Sequence, residues 1–422
     1  MVLPSPVGSP MNMADVILAL ADNVYMYAFS VIIALLIAVF INYKFIKNFF
    51  SGLILVQFSF VFNAAIVIFG FILSKIDMSR VIHYFFFELL TVIGVYVVYK
   101  KIINKRSYII TRLKQSNPLI ISLVLIFFNM ALTIMYVKSV ATDGSSRIEF
   151  MVSGWFSYVR PFISLMVPLS YLFSIFLLDK GNKMLGVAVI GSSIFSNIAS
   201  GSKASFILGI LSAFLIYRDL SGGVFLLSRL MRVAIIGGVT ILALLSLAKL
   251  NVGLADVGER IILTGDATIM VYFSEHPDAA SVGLSTLAKV HRGAARLLGD
   301  SSATNNDTLF GFALNMQETG ENSFTGPNAS IPAYMLCNYR GIMNLIGIAS
   351  ILGYLLILVF FVNNVVLNFR INNSILLLPF VLSSLGNFSQ DYYSGMSDIV
   401  LIMGLAAIFG LAQMIAPLGS RS

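Results

Sequence analysis

A chain of 422 residues that is 58% hydrophobic and only 11% charged, with a mean hydropathy of +0.92, is too apolar to have water as its main solvent. It has one cysteine, Cys337, and three histidines, His83, His276 and His291, which excludes an internal disulfide and argues against a structural zinc site, a haem or any other metal cofactor. Several apolar stretches approach or exceed the ~20 residues an α-helix needs to cross the hydrocarbon layer, so the expected fold is an all-α, polytopic transmembrane bundle.

In chain order, residues 1–23 carry prolines and two aspartates but no positive leader, and are expected to form a short extracytoplasmic tail. Eleven apolar segments follow, at 24–41, 50–73, 81–98, 119–137, 155–178, 184–199, 204–217, 233–248, 342–362, 375–385 and 399–416. The sixth, seventh and tenth are short, and each is either a tilted span or part of a re-entrant hairpin. Alternate connections collect fifteen basic residues, from Lys44 through the dense Lys100 to Lys114 run to Arg421, against two acids, Asp179 and Asp219. By the positive-inside rule that side is cytoplasmic, so the N-terminus is periplasmic and the C-terminus cytoplasmic. The pI near 9.4 then comes from anchors on membrane lipids and needs no nucleic-acid partner.

Polar groups inside the spans are few. Arg160 falls early in the fifth segment, followed by Pro161, and Lys203 closes a Ser200-Gly201-Ser202 turn between the sixth and seventh. Glu88 in the third segment is read as a counter-ion for Arg160 or as a catalytic carboxylate, the former being preferred; His83, one turn away, reads as a packed interfacial residue.

Residues 250–340 form the one long connection, and function is expected there. Its first part, 257–273, has helical spacing and reads as an interfacial helix. A second helix is expected from near Pro277 to Leu298, stopped by Gly299, with Lys289, Arg292 and Arg296 on one stripe. That stripe suits either a lipid-linked phosphate or anionic lipid. The third part offers Glu318, Glu321, Asn322 and Asn328 to sugar hydroxyls, with Tyr334 and Tyr339 as apolar ring faces.

The runs SGSKASF at 200–206, RIILTGDATIMVYF at 260–273 and TGPNASIPAY at 325–334, in a layout of about eleven helices with one long outer loop, resemble the O-antigen, or oligosaccharide repeat-unit, polymerases of the Wzy type. The resemblance implies a glycosyltransferase of the bacterial inner membrane. It would join repeat units carried on undecaprenyl diphosphate at the periplasmic face, alongside a flippase and a chain-length-regulating membrane protein. At the SGSK position the family and the related O-antigen ligases commonly carry arginine; here Lys203 keeps the charge without the guanidinium fork. The paired arginine-to-glycine motifs of some members have no counterpart after Arg160, Arg292 or Arg296.

On that reading Arg160, Lys203, Arg292 and Arg296 hold the diphosphate, Glu318, Glu321 and Asn328 meet sugar, and Asp266, Glu275 or His276 is the base. No Asp-x-Asp pair supports a metal-dependent nucleotide-sugar transferase. An O-antigen ligase and a lipid-linked oligosaccharide flippase are the rival readings.

Overall fold

The computed structural model describes residues 13–143, 160–199, 203–222, 266–274, 285–300, 314, 330–339, 341–367, 372–390 and 392–415, and these contain helices and no strand. The chain opens with α1 (Met13–Asp22), α2 (Val24–Ile46), α3 (Ile54–Ile72), α4 (Met78–Asn104), α5 (Arg106–Gln115) and α6 (Pro118–Asp143). Next come α7 (Arg160–Asp179), α8 (Lys183–Ala199) and α9 (Lys203–Leu220). The long connection contributes α10 (Asp266–Tyr272), α11 (Thr286–Leu297) and α12 (Ile331–Asn338). After α13 (Met343–Phe361) come a π-turn (Val362–Leu367), a 3-10 turn (Asn372–Leu377), α14 (Leu378–Gln390) and α15 (Tyr392–Ile415). The segment expected at 233–248 lies outside the described residues.

Among the described residues, five helical runs are long and apolar enough to cross a membrane: α2, α3, α4, Pro118–Lys138 of α6, and Met343–Leu367, in which α13 runs on into the π-turn. In α2 the bulky residues Phe29, Ile32, Leu36 and Phe40 are exposed along one stripe, while Ser30, Ala34 and Ala38, spaced four apart, are buried. This is the arrangement of a helix in lipid: large side chains meet the acyl chains and small ones let the backbone approach its neighbours. The interior is built mainly on α3, α4, α7 and α14, with α2 and α6 on the outside. Polar residues stitch helices together inside it. Asn129 on α6 donates to Ser170 Oγ on α7 and Ser192 Oγ on α8 at 3.2 and 3.1 Å, so one amide links three helices.

The sixth and seventh expected segments are α8 and α9, two separate helices packed on α7 and on each other. Part of the N-terminal tail is helical: α1 buries Val16 and Leu20 and packs on α2 and α10.

One interaction fixes which ends of the helices lie together. The buried Asp219 carboxylate, at the end of α9, accepts from the Gly52 amide ahead of α3 at 2.9 Å and from the Tyr99 hydroxyl late in α4 at 2.8 Å. Asn48 and Arg218 approach its other oxygen at 3.4 and 3.5 Å, and Arg218 also donates to the Phe50 carbonyl at 2.5 Å. A carboxylate with this many donors is satisfied without bulk water. This basic end therefore holds the starts of α2–α3 connections and the ends of α4 and α9. The opposite end, here the loop end, holds the α3–α4 turn and the starts of α7 and α9.

Candidate functional site at the loop end

The site begins with the turn between α3 and α4. The Lys75 and Ile76 amides both donate to the Gly70 carbonyl, at 2.9 and 3.1 Å, closing the turn on α3. Asp77 then caps α4 by accepting from the Arg80 amide at 2.8 Å, as an aspartate in extended backbone does at a helix start. The Ser79 hydroxyl and that amide hold the Asp77 carboxyl below its ordinary value.

Arg80 reaches from this turn to the long connection. Its guanidinium donates to the carbonyls of Tyr272 and Ser274 at 2.7 and 2.8 Å, capping the open end of α10. The Tyr272 hydroxyl lies 3.0 Å from His83 Nδ1, and its ring sits edge-on to Tyr84 with centroids 5.6 Å apart. Phe273 presses on Gly70, where a Cβ would come within 2.6 Å of its ring. Deeper in the bundle, the Thr268 hydroxyl donates to the Asn63 side-chain carbonyl, midway along α3. So α10 does not rest on the membrane surface as an interfacial helix. It dips into the bundle with Ala267, Ile269 and Val271 buried, because its apolar residues occupy more than one face. Irregular chain at that depth is tolerated where protein encloses it.

Of the other two loop helices, α11 is seated on α15 and α12 mainly on α4 and α10. Tyr334 on α12 stacks on Tyr392 of α15 at 4.5 Å and donates through its hydroxyl to the Lys289 carbonyl of α11 at 2.6 Å. Tyr339 is edge-on to Tyr334 and buried. The expectation that these two rings offer faces to sugar is therefore corrected: both are buried, Tyr334 with its face stacked and its hydroxyl on a backbone acceptor, and Tyr339 packed edge-on against it. Helix α11 is shorter than expected among the described residues, starting at Thr286, but it ends where predicted. Gly299 has φ +79° and the Asp300 amide reaches back to the Ala295 carbonyl at 2.9 Å, closing the helix in a left-handed glycine cap.

The expected site residues distribute as follows. Arg160 is the first described residue of α7, followed by Pro161. Lys203 is the first residue of α9. Because α7, α8 and α9 run back and forth with short turns, Arg160 and Lys203 share the loop end. Asp266 opens α10 at its deep end. Arg292 lies one turn from both Ala288 and Ala295, the two fully buried residues of α11, and Arg296 follows one turn on. Glu275, His276, Glu318, Glu321 and Asn328 lie outside the described residues.

Glu88 belongs in this region as well. It is buried on α4, two turns in from Arg80, and has no hydrogen bond or ion pair with any described residue, which leaves the counter-ion role without support. A cavity of about 320 Å³ lies among α3, α7, α9 and α14, where Tyr171, Ser212, Ser383 and Asn387 break an apolar lining. A more polar one of about 550 Å³ opens at the basic end, away from these residues. No group of three or more metal-ligating side chains occurs among the described residues.

No family model, curated protein or solved structure matches the chain. Its chemistry is therefore argued from the site alone. The described helices are those of a membrane protein.

Proposed function

We propose that the chain is a glycosyltransferase that polymerises oligosaccharide repeat units carried on undecaprenyl diphosphate, at the periplasmic face of a bacterial inner membrane. The observation that carries the reading is the meeting of separate sequence candidates at one end of the bundle. Arg160 and Lys203 start their helices at the loop end, and α10, with Asp266, is tethered there by Arg80. The expected eleven spans rest on the apolar segments, and their orientation, with the loop end outside and the Lys- and Arg-rich end inside, on the charge distribution.

In the reaction a sugar hydroxyl of one lipid-linked unit attacks the anomeric carbon of another. The new glycosidic C–O bond forms as the C–O bond to diphosphate breaks. The lipid diphosphate departs with the bonding pair, and the hydroxyl proton passes to a base. Arg160, Lys203, Arg292 and Arg296 are assigned to the diphosphate, where fixed cations stabilise the charge growing on the leaving oxygen. Asp266, Glu275 and His276 are the candidate proton acceptors, and the buried carboxyl of Glu88, unpaired among the described residues, joins them. Glu318, Glu321 and Asn328 are assigned to sugar.

The test is the purified full chain in liposomes with a synthetic lipid-diphosphate repeat unit and no nucleotide sugar. Polymer is the expected product. Movement of the unit across the bilayer without polymer would make the protein a transporter, and transfer only to an added lipid A core would make it a ligase.

A further inference from the structure

The basic end holds a second feature that the glycan chemistry does not use. Helix α5 is an amphipathic helix between two long apolar ones. It buries Ile109 and Leu113, one turn apart, against α9 and the 3-10 turn. That seating turns Ser107, Thr111 and Lys114, at helical spacing, toward the cavity of about 550 Å³. Lys180, in the turn after α7, and Ser221 and Gly222, after α9, form the other side.

Arg106 completes the ring. Its guanidinium carbon lies 3.4 Å from where a Cβ on Gly222 would stand, and Gly222 has φ +77°. Glycine suits the left-handed turn there, and the guanidinium lies beside it. Three cations, two from α5 and one from the turn after α7, thus surround the cavity. The one acid on its wall, Asp179, is already engaged by the Tyr217 hydroxyl at 2.7 Å and by Lys180 at 3.8 Å. Arg106 and Lys114 have no ion pair with any described residue. Positive charge exceeds negative by two, in a concavity of the size that takes a small ligand, with hydroxyl donors between the charges.

We infer that this cavity is a phosphate-binding site. Arg106 supplies a planar two-donor fork to the phosphate oxygens, and Lys114 and Lys180 supply point charges beside it. With Lys180 shared with Asp179, a phosphate still presents oxygens to Arg106, Lys114 and the hydroxyls of Ser107, Thr111 and Ser221 at once, more acceptors than a carboxylate offers. The headgroup of an anionic phospholipid and a free phosphate share this chemistry. The lipid is the expected occupant, because α5 follows directly on a helix that can cross a membrane and precedes another. The inference is independent of the glycosyltransferase reading, since no residue is shared and the cavity is at the opposite end.

The full chain in a neutral detergent is titrated with short-chain phosphatidylglycerol, with phosphatidylcholine of the same chain length, and with inorganic phosphate. Retained lipid is read by native mass spectrometry and thermal unfolding. Phosphatidylglycerol is expected to be retained in preference to phosphatidylcholine. Lys114→Gln and Lys180→Gln should each weaken it about fivefold, while Lys44→Gln, outside the cavity, should not. Both cavity lysines are exposed, so the variants keep the fold. Failure of inorganic phosphate to displace the lipid assigns the site to the headgroup, and displacement assigns it to phosphate itself. Equal retention of the two lipids without displacement, or unchanged binding in both cavity variants, would overturn the site.

Discussion

The two ends of the bundle are held together by different forces. At the basic end one buried carboxylate, Asp219, gathers a backbone amide, a tyrosine hydroxyl and a guanidinium from three parts of the chain. At the loop end the joints are neutral or singly charged: an arginine on two carbonyls, tyrosine on tyrosine, a threonine on an asparagine. A buried charge fixes a geometry firmly but fails outright when one partner is lost. A surface of rings and single hydrogen bonds yields in smaller steps, and it leaves cations nearby for other work.

The sharpest break in that contrast is Asp219→Ala. It leaves the Gly52 amide and Tyr99 hydroxyl buried without an acceptor and should cost about 4 kcal/mol. Thermal unfolding in detergent measures it, and a loss under 1 kcal/mol would mean that the carboxylate does not organise this end. At the loop end Arg292→Ala and Arg296→Ala should each lower the rate of polymer formation about a hundredfold with unfolding unchanged. Undiminished polymer length and yield would remove them from the diphosphate site.

Arg80→Ala separates the tether from the chemistry. Two charge-assisted hydrogen bonds at a half-exposed position should be worth about 2 kcal/mol, with Arg80→Lys recovering part of it. Faster proteolysis within 266–300 is the companion readout. Smallest is Asp77→Ala, where loss of a helix cap costs about 1 kcal/mol. Because the folded carboxyl titrates below its ordinary 3.8, its contribution is present above that pH and fades as pH falls through the lowered value. The wild type and Asp77→Ala should therefore converge in stability as pH falls below 3.8, and a gap that does not narrow under acid would contradict the capping role.

The sequence made the lipid-facing character of the chain plain, because an apolar run of span length has few other uses. It also placed the glycine stop of α11 correctly, since a left-handed cap is a local requirement. It did not give the depth of α10. Periodicity reports how sharply a helix divides into faces, and IMVY divides hardly at all. Tyr334 and Tyr339 were misjudged for a related reason: a tyrosine suits a sugar surface and a buried stack equally well, and only the ring of Tyr392 decides between them. Asp219, counted only as an exception to a positive side, is the residue that side is built around. Of the candidate site, the shared end of Arg160 and Lys203 follows from the alternation of helices, whereas the burial of Glu88 without a partner among the described residues required coordinates.

The bond from Arg80 to Tyr272 joins residues 192 positions apart. A ribosome adds about 5–20 residues per second, so roughly 10–40 s separate the appearance of the arginine from that of its acceptor. For that interval the early hairpin of α3 and α4 is in the bilayer with Asn63, His83 and Arg80 lacking their later companions. Completion of the loop end is thus a late event in biogenesis, and a nascent chain halted before residue 266 exposes a polar seam for insertion factors to shield.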